Sequence, residues 1–414
     1  MSFFGAFALV AGVVAAAAAT PLAHPDNTWV RLGAIPEPLT APVFAVAVSP
    51  IDPATVLVGT GAGDIFRSTD GGGTWSAAAR GIGHGVLTVQ FNPFRPGAVY
   101  AGSRDAGLWR SSDGGATWSR DAGLPSATVR TVGFAKSITL VGTDAGLYAS
   151  RDGTTWSPYL SFAQLSLSAI AVAAVNDPPK LLAGGDTSRG SEVLPLYVSL
   201  DGGGSWNLVK SLGSSTMVAA AAAGAVPPGA DSRPVVVGTN SGAFLSADGG
   251  GTWAQVGGVP AVDFTSVSFV ANHPERFYLA SDGGGGDSGG LWATSDSGQS
   301  FRALAAPVSS VTAMALSAED SPTIYAATFR ATDHAVMLWA YRDAGGAPVA
   351  PAGGVPPAAG PAPGAAAAVP ANTAGSRLTG LFGSSETPYV ALGGLALLVL
   401  LTAVVLQVRR GREK

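Results

Sequence analysis

The stretch STDGGGTW, residues 68–75, packs small turn formers between a serine and a tryptophan, and the chain keeps rewriting it. SSDGGATW follows at 111–118, SRDGTTW at 150–156, SLDGGGSW at 199–206, SADGGGTW at 246–253 and TSDSGQSF at 294–301. Its aspartates are Asp70, Asp113, Asp152, Asp201, Asp248 and Asp296, separated by 43, 39, 49, 47 and 48 residues. The letters describe a chain reversal. Gly takes positive φ without a steric penalty, Asp accepts backbone N–H bonds inside the turn, and Ser and Thr hydroxyls add local bonds. The closing aromatic residue, Trp75, Trp118, Trp156, Trp206, Trp253 or Phe301, is expected to pack on the neighbouring unit and seal the turn. These six Asp–aromatic pairs are therefore structural. A calcium loop needs six or more oxygen ligands and usually several carboxylates, and each turn offers one, so no metal is expected.

A period in the forties is what four short strands and their turns consume, the length of a propeller blade. Inner-strand phrases open each period: VFAVAVSP from Val43, VLTVQFNP from Val86, VRTVGFA from Val129, LSAIAVAA from Leu167, MVAAAAAG from Met217, FTSVSFV from Phe264 and VTAMALSA from Val311. A second phrase ends in small residues, as in TVLVGT (55–60) and ITLVGT (138–143), a third runs into the turn motif, and a fourth starts at its tryptophan. Apolar, β-branched and aromatic runs bounded by Gly, Pro, Asn and Asp read as strands.

Seven inner strands face six turn motifs, and the N-terminus supplies the missing piece. Thr28 and Trp29 are the last two letters of a motif, while the final repeat, 308–343, has three strands and ends in YRDAGG, with Asp343 and Gly345 at motif-like positions. The segment Trp29–Ile35 is thus predicted to complete the last blade. The reading is an all-β, seven-bladed β-propeller over residues 26–345, closed by its N-terminal strand.

The spelling S-x-D-x-G-x-T-W resembles the Asp-box, or BNR, repeat of sialidases, sortilin-type receptors, xyloglucanases and photosystem assembly factors, here over residues 27–345. Resemblance to the assembly factors and sortilin-like receptors implies protein binding on a propeller face. Resemblance to sialidases implies a Tyr nucleophile with acidic help, an early Arg-Ile-Pro motif and arginines gripping a carboxylate. LGAIPEP (32–38) places Ala34 where that Arg would stand, and the inner strands carry little charge. The chain is expected to be a non-enzymatic binding or assembly scaffold without a cofactor; the alternative is a sialidase-like or other carbohydrate-active hydrolase.

Outside the repeats, composition narrows the surroundings. Charged residues are 12 % of the chain and net charge is -4, so no basic face exists to draw nucleic acid. Residues 1–25, uncharged up to Asp26, read as a secretory signal or an uncleaved apolar segment. Ala344 to Gly375 is rich in Pro, Ala and Gly, and residues 346–387 are expected to form a semi-flexible stalk. Residues 388–408, uncharged from Tyr389 to Val408, suffice to span a bilayer as one helix, and the tail 409–414 carries Arg409, Arg410, Arg412 and Lys414. By the positive-inside tendency that tail is cytoplasmic and the propeller extracytoplasmic, anchored in the cell membrane by a single pass. Cysteine is absent, which removes disulfides and thiolate chemistry.

Blade topology puts motif turns and the connections between strands one and two on one face. Connections between strands two and three occupy the other face with the blade-to-blade links. Three of these are long: 184–195, 281–290 and 329–336. Long insertions on one face of a repeat array mark a binding face. The candidates there are Asp186, Arg189, Glu192, Asp282, Asp287, Arg330, Asp333 and His334, facing a protein partner or, alternatively, a glycan. His84 and His273 are expected to be ordinary surface residues.

Overall fold

A computed structural model describes residues 21–37, 39, 41–125, 128–160, 165–174, 178–187, 194–210, 212–285 and 289–346. Among them are seven four-stranded antiparallel sheets, each a meander from inner to outer strand. Blade 1 comprises Val43–Val48, Val56–Thr60, Ile65–Ser68 and Ser76–Ala79. The inner strands of blades 2 to 7 are Val86–Phe91, Val129–Ala135, Leu165–Ala174, Val218–Ala223, Ser266–Val270 and Val311–Leu316. Outer strands are shorter than expected, Ser119–Arg120 in blade 2 being one of two residues.

The seventh blade is closed by the N-terminus. Trp29–Arg31 lies antiparallel to Ala335–Arg342, with Trp29 opposite Tyr341. The indole of Trp29 is buried, donates Nε1–H to the Leu304 carbonyl of blade 6 at 2.7 Å and stacks on Tyr341 at 5.0 Å. Beside it Arg342 pairs with Asp26 at 2.6 Å, and Asn27 donates Nδ2–H to the Gly345 carbonyl at 2.6 Å. Upstream, Leu22 N–H donates to the Asp70 carbonyl at 2.7 Å, so the chain crosses the seam onto blade 1 before it enters its strand.

The core is divided among the seams. Leu57, Ile65, Val86 and Val99 form one cluster between blades 1 and 2, and Val270, Tyr278, Val311 and Ile324 form one between blades 6 and 7. Close approach explains the small residues that end each second strand. A Cβ on Gly59 would lie 2.4 Å from Val86 Cγ1 of the next inner strand. Each blade buries both faces only when flanked, which makes ring closure the stabilising event. Among the described residues no helix is long and apolar enough to cross a membrane; residues 388–408 lie outside them.

Candidate functional site

The turn motifs share one hydrogen-bond circuit. In blade 1, Ser68 Oγ–H donates to Asp70 Oδ1 at 2.7 Å and accepts Gly72 N–H at 2.8 Å. Thr74 then donates N–H to Oδ1 at 2.9 Å and Oγ1–H to Oδ2 at 2.7 Å. The same four bonds recur around Asp113, Asp201, Asp248 and Asp296. Asp152 keeps them in its one-residue-shorter turn. Donors occupy both oxygens of every box carboxylate and hold its acidity: the Thr117 hydroxyl and N–H and the Ser111 hydroxyl bring Asp113 down to about 2. A carboxylate so engaged serves the turn. The aromatic residues behave as expected where they reach a neighbour, as Trp206 Nε1–H does at the Tyr159 carbonyl, 2.9 Å away.

Asp343 departs from that circuit. Tyr341 stands where the box serine would, and the buried carboxylate accepts Tyr278 Oη–H at 2.6 Å and Arg302 Nη2–H at 2.7 Å, locking blade 7 to blade 6. Only the bond from Gly345 N–H to Oδ1, 3.0 Å, is box-like.

On the opposite face the sequence candidates separate. Arg189, Glu192 and Asp287 lie outside the described residues. Asp186 sits within the strand Lys180–Thr187, paired with Ser166, and so extends the sheet where a loop was expected. Arg330 and Asp333 satisfy each other at 2.6 and 2.8 Å at the tip of the blade 7 hairpin, where the His334 ring meets Phe329 edge-on at 5.9 Å. Asp282 alone of the described candidates reaches the mouth of the central channel. His84 pairs with Asp105, and His273 bridges Glu275 and Asp320, each at 3.1 Å, tying blade 6 to blade 7.

The residues that form this mouth come instead from the inner strands. In blades 1 to 5 and 7 the pairing of the first two strands slips near its start, between Val43 and Ala45 in blade 1 and between Val129 and Thr131 in blade 3. Such a bulge re-aims the extra residue. Here it turns Phe44, Leu87, Arg130, Ser168, Ala219 and Thr312 into the mouth. Hydroxyls at this level are tied down: Ser168 donates to the Val218 carbonyl and Thr312 to the Val43 carbonyl, both at 2.7 Å. Phe44 is 41 % exposed, and Arg130 is joined by Arg104 from the loop between strands two and three of blade 2, whose charge also reaches the neighbouring Asp105. On blades 1 to 3 the mouth thus sets two arginines, Phe44 and Leu87 among the polar Thr88, Gln90 and Thr131.

Across the ring, Asp263 has a buried Oδ1 with no hydrogen-bond partner among the described residues. Burial raises its carboxyl above the ordinary range, helped by the negative charge of Asp282. Sequence reading missed Phe44, Arg104, Arg130 and Asp263. A bulge one residue into an otherwise alternating strand leaves no mark in the pattern.

The BNR/Asp-box repeat model matches residues 66–77. No curated protein matches the chain in sequence. Among solved structures, YCF48 from Cyanidioschyzon merolae is 16% identical, with a TM-score of 0.51, and the match covers 76% of this chain and 98% of that one. YCF48 bound to D1 peptide gives 17% identity and 0.52 over 78% of this chain and 99% of that one. The GH74 xyloglucanase from Xanthomonas campestris gives 18% identity and 0.50 over 69% of this chain, which spans 51% of the enzyme. An ancestral GH74 enzyme is spanned to 38%. At these identities the likeness is one of fold. The chain is a seven-bladed β-propeller that carries the BNR/Asp-box repeat.

Proposed function

We propose that this propeller is a membrane-anchored, extracytoplasmic scaffold that holds a protein segment at the long-loop mouth of its channel. The observation that carries the reading is the bulge row, which presents Phe44, Leu87 and Arg130 beside Arg104. Aromatic and Arg side chains at the centre of a patch are the residues that dominate binding energy. The peptide complex of YCF48, a protein of the same fold, supports the class of ligand. The two ends of the propeller meet on the Asp-box face, where Asn27 bonds Gly345, which leaves the long-loop mouth on the opposite side of the ring. Cross-linked capture from membranes tests the reading. The Arg104→Ala/Arg130→Ala double variant, and one shortened at 184–195 and 281–290, are expected to lose the partner; equal recovery by the double variant rejects the mouth.

Asp263 and Asp282 favour a second reading. A carboxyl raised by burial beside a second carboxyl is the pairing glycoside hydrolases use, and a GH74 enzyme shares the fold. Oligosaccharide hydrolysis abolished by Asp282→Asn, with capture unchanged, would move the assignment to this alternative.

A further inference from the structure

The channel has a second mouth, on the Asp-box face, with different chemistry. Val46, Gln90, Ile170, Ser268 and Met314 line both halves of the channel and mark its waist. Beyond them lies a space of about 410 Å³ whose rim carries Phe91, Pro93, Phe134, Phe269 and Leu316. One charged side chain faces it, Arg233, in the turn between the first two strands of blade 5. Its backbone N–H donates to the Ala173 carbonyl of blade 4 at 2.8 Å, which pins the residue at the seam. Its Nε is buried without a hydrogen-bond partner, and no carboxylate among the described residues lines this half of the channel. Burial alone pushes the guanidinium below its ordinary value. Lys180 is the next cation, and its ammonium is held by Ser232 at 2.8 Å.

Arg233 is half-buried, and a charge drawn partly out of water gains from a partner, because desolvation without one is costly. No carboxylate among the lining residues supplies that partner, which leaves the place open to an incoming anion. The walls select its shape, since seven inner strands enclose the channel sideways and admit a slender molecule end-on, and the space falls in the range of small-ligand sites. We propose that the Asp-box half of the channel is a binding site for a monocarboxylate with an unbranched apolar chain, with Arg233 as its counter-ion and Phe91, Phe134 and Phe269 around its chain. This site is separate from the protein-binding mouth proposed above and stands without it.

Calorimetry on the full chain in detergent or nanodiscs, with decanoate, decanol and methyl decanoate, reads the carboxylate directly. Decanoate is expected to bind at least tenfold more tightly than the uncharged analogues; equal affinities overturn the proposal. Arg233→Gln is expected to lose decanoate by tenfold or more while melting no lower than the parent, because it removes an uncompensated charge. Undiminished binding by that variant also overturns it. If it does not fold, the comparison of ligands on the parent decides. An apolar peptide with a free C-terminus supplies the same carboxylate from a protein; its binding where decanoate shows none overturns the small-ligand assignment.

Discussion

The Asp-box turns and the long-loop mouth occupy opposite faces of one ring and use the same kinds of polar residue to opposite ends. At the box, Asp113 receives two hydroxyls and the Ala116 and Thr117 N–H groups, and nothing is left over. At the mouth, the Arg104 and Arg130 side chains line the channel instead of closing a turn. Turn chemistry that is repeated and saturated stabilises; side chains that are singular and unsaturated await something else. The same contrast recurs within the channel, where the Ser168 and Thr312 hydroxyls are tied to the next blade and the Arg233 Nε has no hydrogen-bond partner among the described residues.

The contrast is broken most severely at the seam. Trp29 is 4 % exposed, fills the space between blades 6 and 7, and lies on the strand that closes the ring. Trp29→Ala should cost about 4 kcal/mol from the cavity alone, and a chain beginning at Pro38 should be insoluble or protease-sensitive. A truncated propeller melting with the parent would reject closure by the N-terminus. A smaller loss is expected at a buried box. Asp70→Ala leaves the Thr74 N–H and the Ser68 and Thr74 hydroxyls without their acceptor, at about 3 kcal/mol by chemical denaturation. No loss there would return the box aspartates to the list of functional candidates.

Acid probes all the boxes together. Asp113, Asp201, Asp248 and Asp296 are held at about 2 in the fold, against about 3.9 for an unfolded aspartate. The folded chain therefore releases these protons more readily. Their contribution is complete above about pH 4 and is lost as pH falls towards 2. Melting temperature should hold from pH 7 to 5 and drop steeply below 4; a flat profile down to pH 2 would contradict the circuit. At the mouth the expectation reverses. Arg130→Ala should change stability by less than about 0.5 kcal/mol, as an exposed side chain without partners does, while partner affinity falls about tenfold, near 1.4 kcal/mol. Equal capture with unchanged stability would leave the arginine with no role.

What the sequence disclosed follows the same division. Blade count and closure were legible because a box needs each of its letters, so the orphan Thr28 and Trp29 had one place to go. The mouth was not, because nothing in VRTVGFA says that Arg130 occupies a bulge; strict alternation assigns it a face that the register slip changes. The long-loop candidates that the structure describes divide by what surrounds them. Arg330 and Asp333, three apart at a hairpin tip, neutralise each other, and Asp186 continues a strand, whereas Asp282 reaches the channel.

The smallest effect is expected at box six, where the rule for glycine is bent. Ser297 stands at the position of Gly71 and holds φ at 59°, in the left-handed region that the other boxes give to glycine. Left-handed backbone disfavours a side chain by about 1 kcal/mol, whereas glycine loses more freedom on folding, so Ser297→Gly should stabilise by about 0.5 kcal/mol. The reverse exchange is not symmetric. A Cβ on Gly71 would approach His24 Nε2 to 3.1 Å, and His24 belongs to the N-terminal segment that crosses the seam beside Tyr325. Gly71→Ser therefore combines backbone strain with displacement of that segment, and should lower the melting temperature by more than Ser297→Gly raises it. Equal and opposite shifts would show that the segment from Leu22 to His24 lies on the first box without stabilising the ring.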